Sequence, residues 1–293
     1  MNKKFRLTIV LVFLCIGLNA QDLFDSLGVG SEKEYVSATF KTTRLVNQQT
    51  SETLGKRTLD FRISHRFGPV NSGGINMWGL DGPANIRLGL EYSHDGRLMF
   101  GLGRSSYDKM FDSFLKYRLL RQTSGKGMPL SVTLFTGAYY TAAKDANAEA
   151  NGYDKYQYQS DRMSYCFEIL MARKFTPSFS LQVAPWLVHY NLVENMTDQN
   201  DAYGISTLFR LKFTKRSAVT FEYALPINEY SLENQYYNSM AIGYELETGG
   251  HVFQIHFTNS FGIVENQFFA HTDSKWNNMG VRLGFNISRV FTI

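Results

Sequence analysis

Apolar residues recur at every second position along most of this chain, in about a dozen runs that continue to the last residue. In the final run Met279, Val281, Leu283, Phe285, Ile287, Phe291 and Ile293 share one parity, broken by Arg289, while Gly280, Arg282, Gly284, Asn286 and Ser288 hold the other. A period of two marks strands with one apolar face. A soluble sandwich must cover each such face with a second sheet, whereas a membrane barrel turns them all to lipid and keeps polar side chains inside. The same rhythm appears at Leu59–Phe67 and Ile86–Ser93, then at Leu98–Leu102, Leu115–Leu119, Leu130–Tyr140, Met163–Met171, Phe179–Leu187, Tyr203–Phe213, Val219–Ile227, Met240–Leu246 and Phe253–Phe257. With the last run this makes twelve strands, an even number, each near the roughly 9 to 11 residues that cross a bilayer at a tilt. The expected fold is an all-β, antiparallel, up-and-down transmembrane barrel.

The N-terminus reads as a secretory signal, residues 1–20: Lys3, Lys4 and Arg6, then the apolar run Leu7–Leu18, then Ala20 as the small residue before cleavage. Cys15 lies inside the apolar run behind Leu14, which argues against lipid attachment. The chain's formal charge of +4 falls to +1 once those three basic residues are removed. No concentrated basic face remains, so nucleic acid is not an expected partner. One cysteine, Cys166, follows the signal and precludes an intramolecular disulfide there. Aromatics at 15% and 24 glycines suit a barrel with aromatic girdles and tight turns.

Connections alternate in length. Short ones fall near 93–96, 123–128, 175–178, 215–217 and 248–250, and longer ones near 144–157, 194–201, 229–235 and 260–276. Short turns belong on the periplasmic side and long loops outside, which also places the C-terminus in the periplasm. Two features sit awkwardly. Val36–Val46 resembles a further strand without a lipid-facing parity, so residues 21–56 are expected in the lumen or beneath the barrel, with the barrel itself at 57–293. Pro185 and Pro226 each lack a ladder donor and predict a bulge or break.

The stretches Leu59-Asp60-Phe61-Arg62-Ile63-Ser64-His65-Arg66-Phe67-Gly68, Gly79-Leu80-Asp81, Gly101-Leu102-Gly103-Arg104-Ser105 and Phe114-Leu115-Lys116-Tyr117 resemble a β-barrel family of Gram-negative outer membranes whose function is unassigned. The likeness is densest over residues 40–122. It implies fold and an outer-membrane location, and it carries no catalytic residue.

The inward parity gathers fourteen expected lumen-lining residues: Asp60, Arg62, Arg66, Arg87, Glu91, Lys116, Arg118, Glu168, Arg210, Lys212, Glu222, Glu245, His256 and Arg282. Eight are basic and five acidic. Unpaired burial of such charges is costly, so they either pair into a plug or line water. A water path with that excess would favour anions. The expected function is therefore a narrow pore or binding barrel for small polar solutes leaning to anions, without a cofactor and in contact with outer-membrane lipid. The alternative is a scaffold that docks periplasmic or surface proteins, with acids such as Glu194, Asp198, Glu265 and Asp273 in exterior loops and Lys126, Arg173, Lys174, Lys215 and Arg216 near periplasmic turns.

Catalysis and metal binding are disfavoured. A hydrolase needs a base beside its nucleophile. No histidine stands two residues before an outward serine, and His256 with Thr258 and Glu245 is the nearest approach to a triad. His65, on the outward parity, lacks a second ligand at metal spacing. Asn147, Glu149, Asn151 and Gly152 faintly suggest a calcium loop, but Tyr158 occupies the position of its closing carboxylate.

Overall fold

The computed structural model describes residues 34–125 and 127–293. The signal sequence, the start of the following segment and Lys126 lie outside them. Twelve antiparallel strands close into one barrel in chain order: β1 Thr58–Pro69, β2 Asn85–Ser93, β3 Leu98–Ser105, β4 Met110–Leu120, β5 Ser131–Thr141, β6 Met163–Lys174, β7 Phe179–Tyr190, β8 Asp201–Lys212, β9 Ser217–Pro226, β10 Met240–Thr248, β11 His251–Thr258 and β12 Arg282–Thr292. β1 closes the ring against β12, with Ile63 opposite Ile287 and Arg62 opposite Ser288. No described helix is long and apolar enough to cross a membrane.

Burial is inverted relative to a soluble protein. In β1 the polar Asp60, Arg62, Ser64 and Arg66 are buried while Leu59, Phe61, Ile63 and Phe67 are not. Ile86, Leu88 and Leu90 on β2 and Phe253, Ile255 and Phe257 on β11 are exposed outright. An apolar belt of this kind is stable only against lipid. Closure leaves no sheet edge, and every wall backbone group has a neighbouring strand to pair with, as a lipid setting demands.

The connections 94–97, 121–130, 175–178, 213–216 and 249–250, short except for 121–130, share one end of the barrel with the start of β1 and the end of β12. The other end carries connections 70–84, 106–109, 142–162, 191–200, 227–239 and 259–281, so the β3–β4 link is the short exception on the exterior side. Short helices α1 (Ala148–Asn151) and α2 (Glu265–Phe268) sit in the connections 142–162 and 259–281.

The two prolines behave differently. Pro226 is the final residue of β9 and interrupts nothing. Pro185 stands mid-strand, and the β6–β7 ladder lacks its rungs between Glu168–Trp186 and Met171–Val183 without any change of register. The ladder is broken there but not bulged.

Residues 34–57 form no wall strand. They make a hairpin that enters and leaves at the periplasmic end, beginning where Val36 N–H donates to the Gln122 carbonyl at 2.9 Å. Inside, Thr50 N–H donates to Thr43 O at 2.9 Å, and Leu45 N–H donates to Gln48 O at 2.9 Å around the tip. Residues 42–51 are all buried.

The inverted pattern fixes an expected outcome. Ile287→Arg, mid-strand on the lipid face, should cost about 2 to 4 kcal/mol of folding stability. Arg289→Gln at the exposed rim should stay within about 0.5 kcal/mol. Urea titration of folding into liposomes measures both, and equal losses would refute the placement of Ile287 in the hydrocarbon belt.

Candidate functional site

The barrel interior divides into two sectors of different chemistry. On the β4–β8 side it is apolar: Phe114, Phe135, Tyr139, Cys166, Leu170 and Trp186 pack around Val264, Phe268 and Phe269 from the β11–β12 connection. Trp186 stacks on Phe269 with centroids 4.5 Å apart. The connection that length alone places outside thus folds down into the barrel, and Glu265 is fully buried. This corrects its expected position in an exposed acidic loop. Burial of aromatic area drives the inward fold, at roughly 1.5 to 3 kcal/mol for each large apolar side chain.

The other sector is polar and surrounds the hairpin. Glu222 accepts the backbone N–H groups of Val46 at 2.6 Å, Asn47 at 2.9 Å and Gln48 at 3.1 Å. Lys116 Nζ donates to the carbonyls of Thr43 at 3.0 Å and Glu52 at 2.9 Å. Arg62 reaches the Arg44 carbonyl at 3.4 Å and lies 3.6 Å from Asp60. Arg66 donates to the Val46 carbonyl at 3.2 Å and to Asn47 Oδ1 at 2.8 Å. Arg118 donates to the Thr53 carbonyl at 3.0 Å, and Gln182 exchanges bonds with Gln49 O at 2.8 Å and Ser51 N–H at 2.7 Å. Wall side chains therefore bind the hairpin mainly through its backbone. A small apolar footing, Phe40 and Leu45 against Ala172 and Leu208, completes the seat.

At mid-barrel the hairpin meets the inward loop. Arg44 Nη1 lies 2.8 Å from Glu265 Oε1, and Gln49 and the Tyr139 hydroxyl donate to the same carboxylate at 3.0 and 2.7 Å. Glu91 accepts from Thr43 and sits 3.9 Å from Arg44 Nε. The hairpin and the inward loop thus enter from opposite ends and touch inside the barrel.

The remaining expected lumen residues separate into groups. Arg87 forms a two-point pair with Asp112, its Nε donating at 2.9 Å, and its side chain lies across Gly89 and Gly103, where any Cβ would collide with it. Arg210 bridges Glu245 and Glu247, each at 2.7 Å, and Lys41 of the hairpin reaches Glu247 at 3.0 Å. Arg282, near the exterior end, lies over the Phe261 ring at 4.6 Å. Lys212 is half-buried at the last position of β8. Both carboxylate oxygens of Glu168 and both ring nitrogens of His256 are buried without a hydrogen-bond partner among the described residues. His256, Thr258 and Glu245 do not assemble into a relay: Glu245 is held by Arg210 and Gln254, and Thr258 accepts from Asn47. His65 stacks on Phe285 at 5.1 Å on the outer face. No group of three or more His, Cys, Asp or Glu side chains among the described residues is arranged to hold a metal.

Asp112 was legible, since it shares the inward parity of Lys116. Arg44 and Glu265 sit in segments without periodicity and carried no signal. With them, the buried charges among the described residues number seven basic (Arg44, Arg62, Arg66, Arg87, Lys116, Arg210, Arg282) and seven acidic (Asp60, Glu91, Asp112, Glu168, Glu222, Glu245, Glu265).

A closed, even-stranded antiparallel barrel with an apolar exterior and a charged interior is an outer-membrane β-barrel, here of a Gram-negative cell. The chain belongs to the family of membrane bound beta barrel domains (DUF5777), whose profile matches residues 40–291. Among solved structures it is similar to the NanC porin (8% identity, 80% of this chain and 99% of that one, TM-score 0.49) and the KdgM porin (8%, 80% and 99%, 0.45). It is also similar to outer membrane phospholipase A from Escherichia coli (9%, 79% and 92%, 0.44). These likenesses concern barrel architecture alone. Among curated proteins none matches the chain.

Above the bilayer, burial raises the carboxyl pKa of Asp108 in the β3–β4 link, although Gln267 of the inward loop donates to it at 3.1 Å. A raised folded pKa means the unfolded chain releases the proton first, so stability falls as pH climbs through the window above the ordinary value near 4. Asp108→Asn should therefore stabilise the protein at pH 7, with the gain vanishing at about pH 4. Urea midpoints across that range test it, and a variant less stable at pH 7 would refute it.

Proposed function

We propose that this protein is a gated, non-catalytic passage for small polar solutes across the outer membrane, closed in the state described by the 34–57 hairpin. The observation that carries this reading is how the hairpin is held. The inward β11–β12 loop is packed by apolar side chains, as a permanent core is. The hairpin is instead held by charged wall residues bonded to its backbone, and water can replace each of those bonds. Charge networks of this kind are poor stabilisers, and apolar residues of equal volume would fill a merely structural interior at least as well. A wall of Arg62, Arg66, Lys116, Arg210, Asp60, Glu91, Glu222 and Glu245 makes physical sense as the lining of a conduit that is wet when the hairpin is out.

Asp112 and Glu265 nearly cancel the basic excess of the strands, so the anion preference of an open state is expected to be slight. A second reading, a closed scaffold for periplasmic or surface proteins, draws support from the filled lumen itself.

Planar-bilayer recording separates the two. The intact chain should conduct rarely, removal of residues 39–54 should give steady conductance, and Glu222→Ala, which strips three acceptor bonds from the tip, should raise the fraction of time open. Reversal potentials of the truncated form in a salt gradient should lie near zero. Silence in all three forms would remove the passage and leave the scaffold.

A further inference from the structure

The wall grips the hairpin as polypeptide rather than as one particular sequence. Between Thr43 and Thr53, seven carbonyls accept from wall side chains and four amide groups donate to them. Glu222 alone gathers three consecutive N–H groups, and Thr133 donates to the Ser51 carbonyl at 2.7 Å. The hairpin's side chains are met less completely. Those of Arg44 and Asn47 find partners, but Gln48 Oε1, Gln49 Oε1 and Ser51 Oγ are buried with none among the described residues. Orphans of this kind are costly, and a wall shaped to this one sequence would have matched them.

The charge balance points the same way. Seven buried bases against seven buried acids give no preference for an ion of either sign. An amide carries a donor and an acceptor and repeats both at every residue, so interspersed acids and bases suit a peptide main chain. A sugar offers hydroxyls of both senses but no run of converging N–H groups for a carboxylate such as Glu222.

We propose that the solute of this passage is a short peptide, held through its main chain by the groups that hold the hairpin and admitted when the hairpin leaves. The inference rests on the passage reading above and narrows its solute. Departure of the hairpin clears a space two extended segments wide, because two segments fill it, and the run of buried residues 42–51 marks its depth.

A protease site inserted between the exposed Gly55 and Lys56 lets the full chain be folded in detergent and then nicked, which turns the hairpin into an exchangeable fragment. A fluorescent peptide of sequence 39–54 should enter the nicked barrel, read by anisotropy. Against this tracer a scrambled 39–54 peptide should compete within about tenfold of the native one, and a native peptide with ester oxygens replacing the N–H groups of Val46, Asn47 and Gln48 should compete at least about tenfold worse. A maltooligosaccharide of equal mass should not compete. In planar bilayers the nicked protein, diluted so that its fragment dissociates, should conduct, and the scrambled peptide should interrupt the current where the oligosaccharide does not. A scramble more than about tenfold weaker than the native peptide, an ester analogue equal to it, or a fragment that never leaves the nicked barrel would overturn the proposal. Conductance without peptide blockade would overturn the solute and leave the passage standing, whereas tracer binding by a barrel that never conducts would overturn the passage itself.

Discussion

The hydrogen bonds between charged wall side chains and the hairpin backbone are what the rest of this barrel depends on. Lipid outside forces the apolar side chains outward, so every polar side chain that the alternating pattern supplies is driven in. Twelve strands enclose too much space for the wall's own inward side chains to fill and too little water-accessible room for so many ions to remain solvated in the closed state. The hairpin resolves this by offering backbone carbonyls to Arg62, Arg66, Lys116 and Arg118 and backbone amides to Glu222. Its tight tip, where consecutive N–H groups converge, suits a carboxylate for the reason that backbone nests bind anions.

The apolar sector answers to a different force. Phe268 and Phe269 are drawn in by the same burial of area that builds any soluble core, and they bring Glu265 to the one place where Arg44 needs a counter-ion. One occluding element is therefore fixed by packing and the other by exchangeable polar bonds. That asymmetry assigns them different roles.

Strand number, order and facing were legible because the membrane demands one uninterrupted apolar parity, and β1, β2, β11 and β12 display it cleanly. The apolar sector was not legible. In β5 and β7 both parities carry large apolar residues, Leu134 beside Phe135 and Leu187 beside Trp186, and periodicity cannot say which set looks inward when neither is polar. The inward course of the β11–β12 connection follows from that hidden surface, so Glu265 was misplaced with it. The hairpin's turn rests on long-range partners such as Glu222 and Gln182, and no local pattern encodes those. Pro185 did announce its break, because a missing donor is a property of the residue itself, whereas Pro226 falls where the strand was ending anyway.

The Val46 carbonyl accepts from Arg66 of the first strand and, at 2.9 Å, from Asn286 of the last. Those two strands meet only when the barrel closes. A segment synthesised ahead of the whole wall thus holds the atom that recognises the final junction, and a barrel zipped up with β12 slipped by two residues would take Asn286 away from both the Val46 carbonyl and Arg66. The chain carries its own gauge for correct assembly, set before the first strand is laid down and read when the last one arrives.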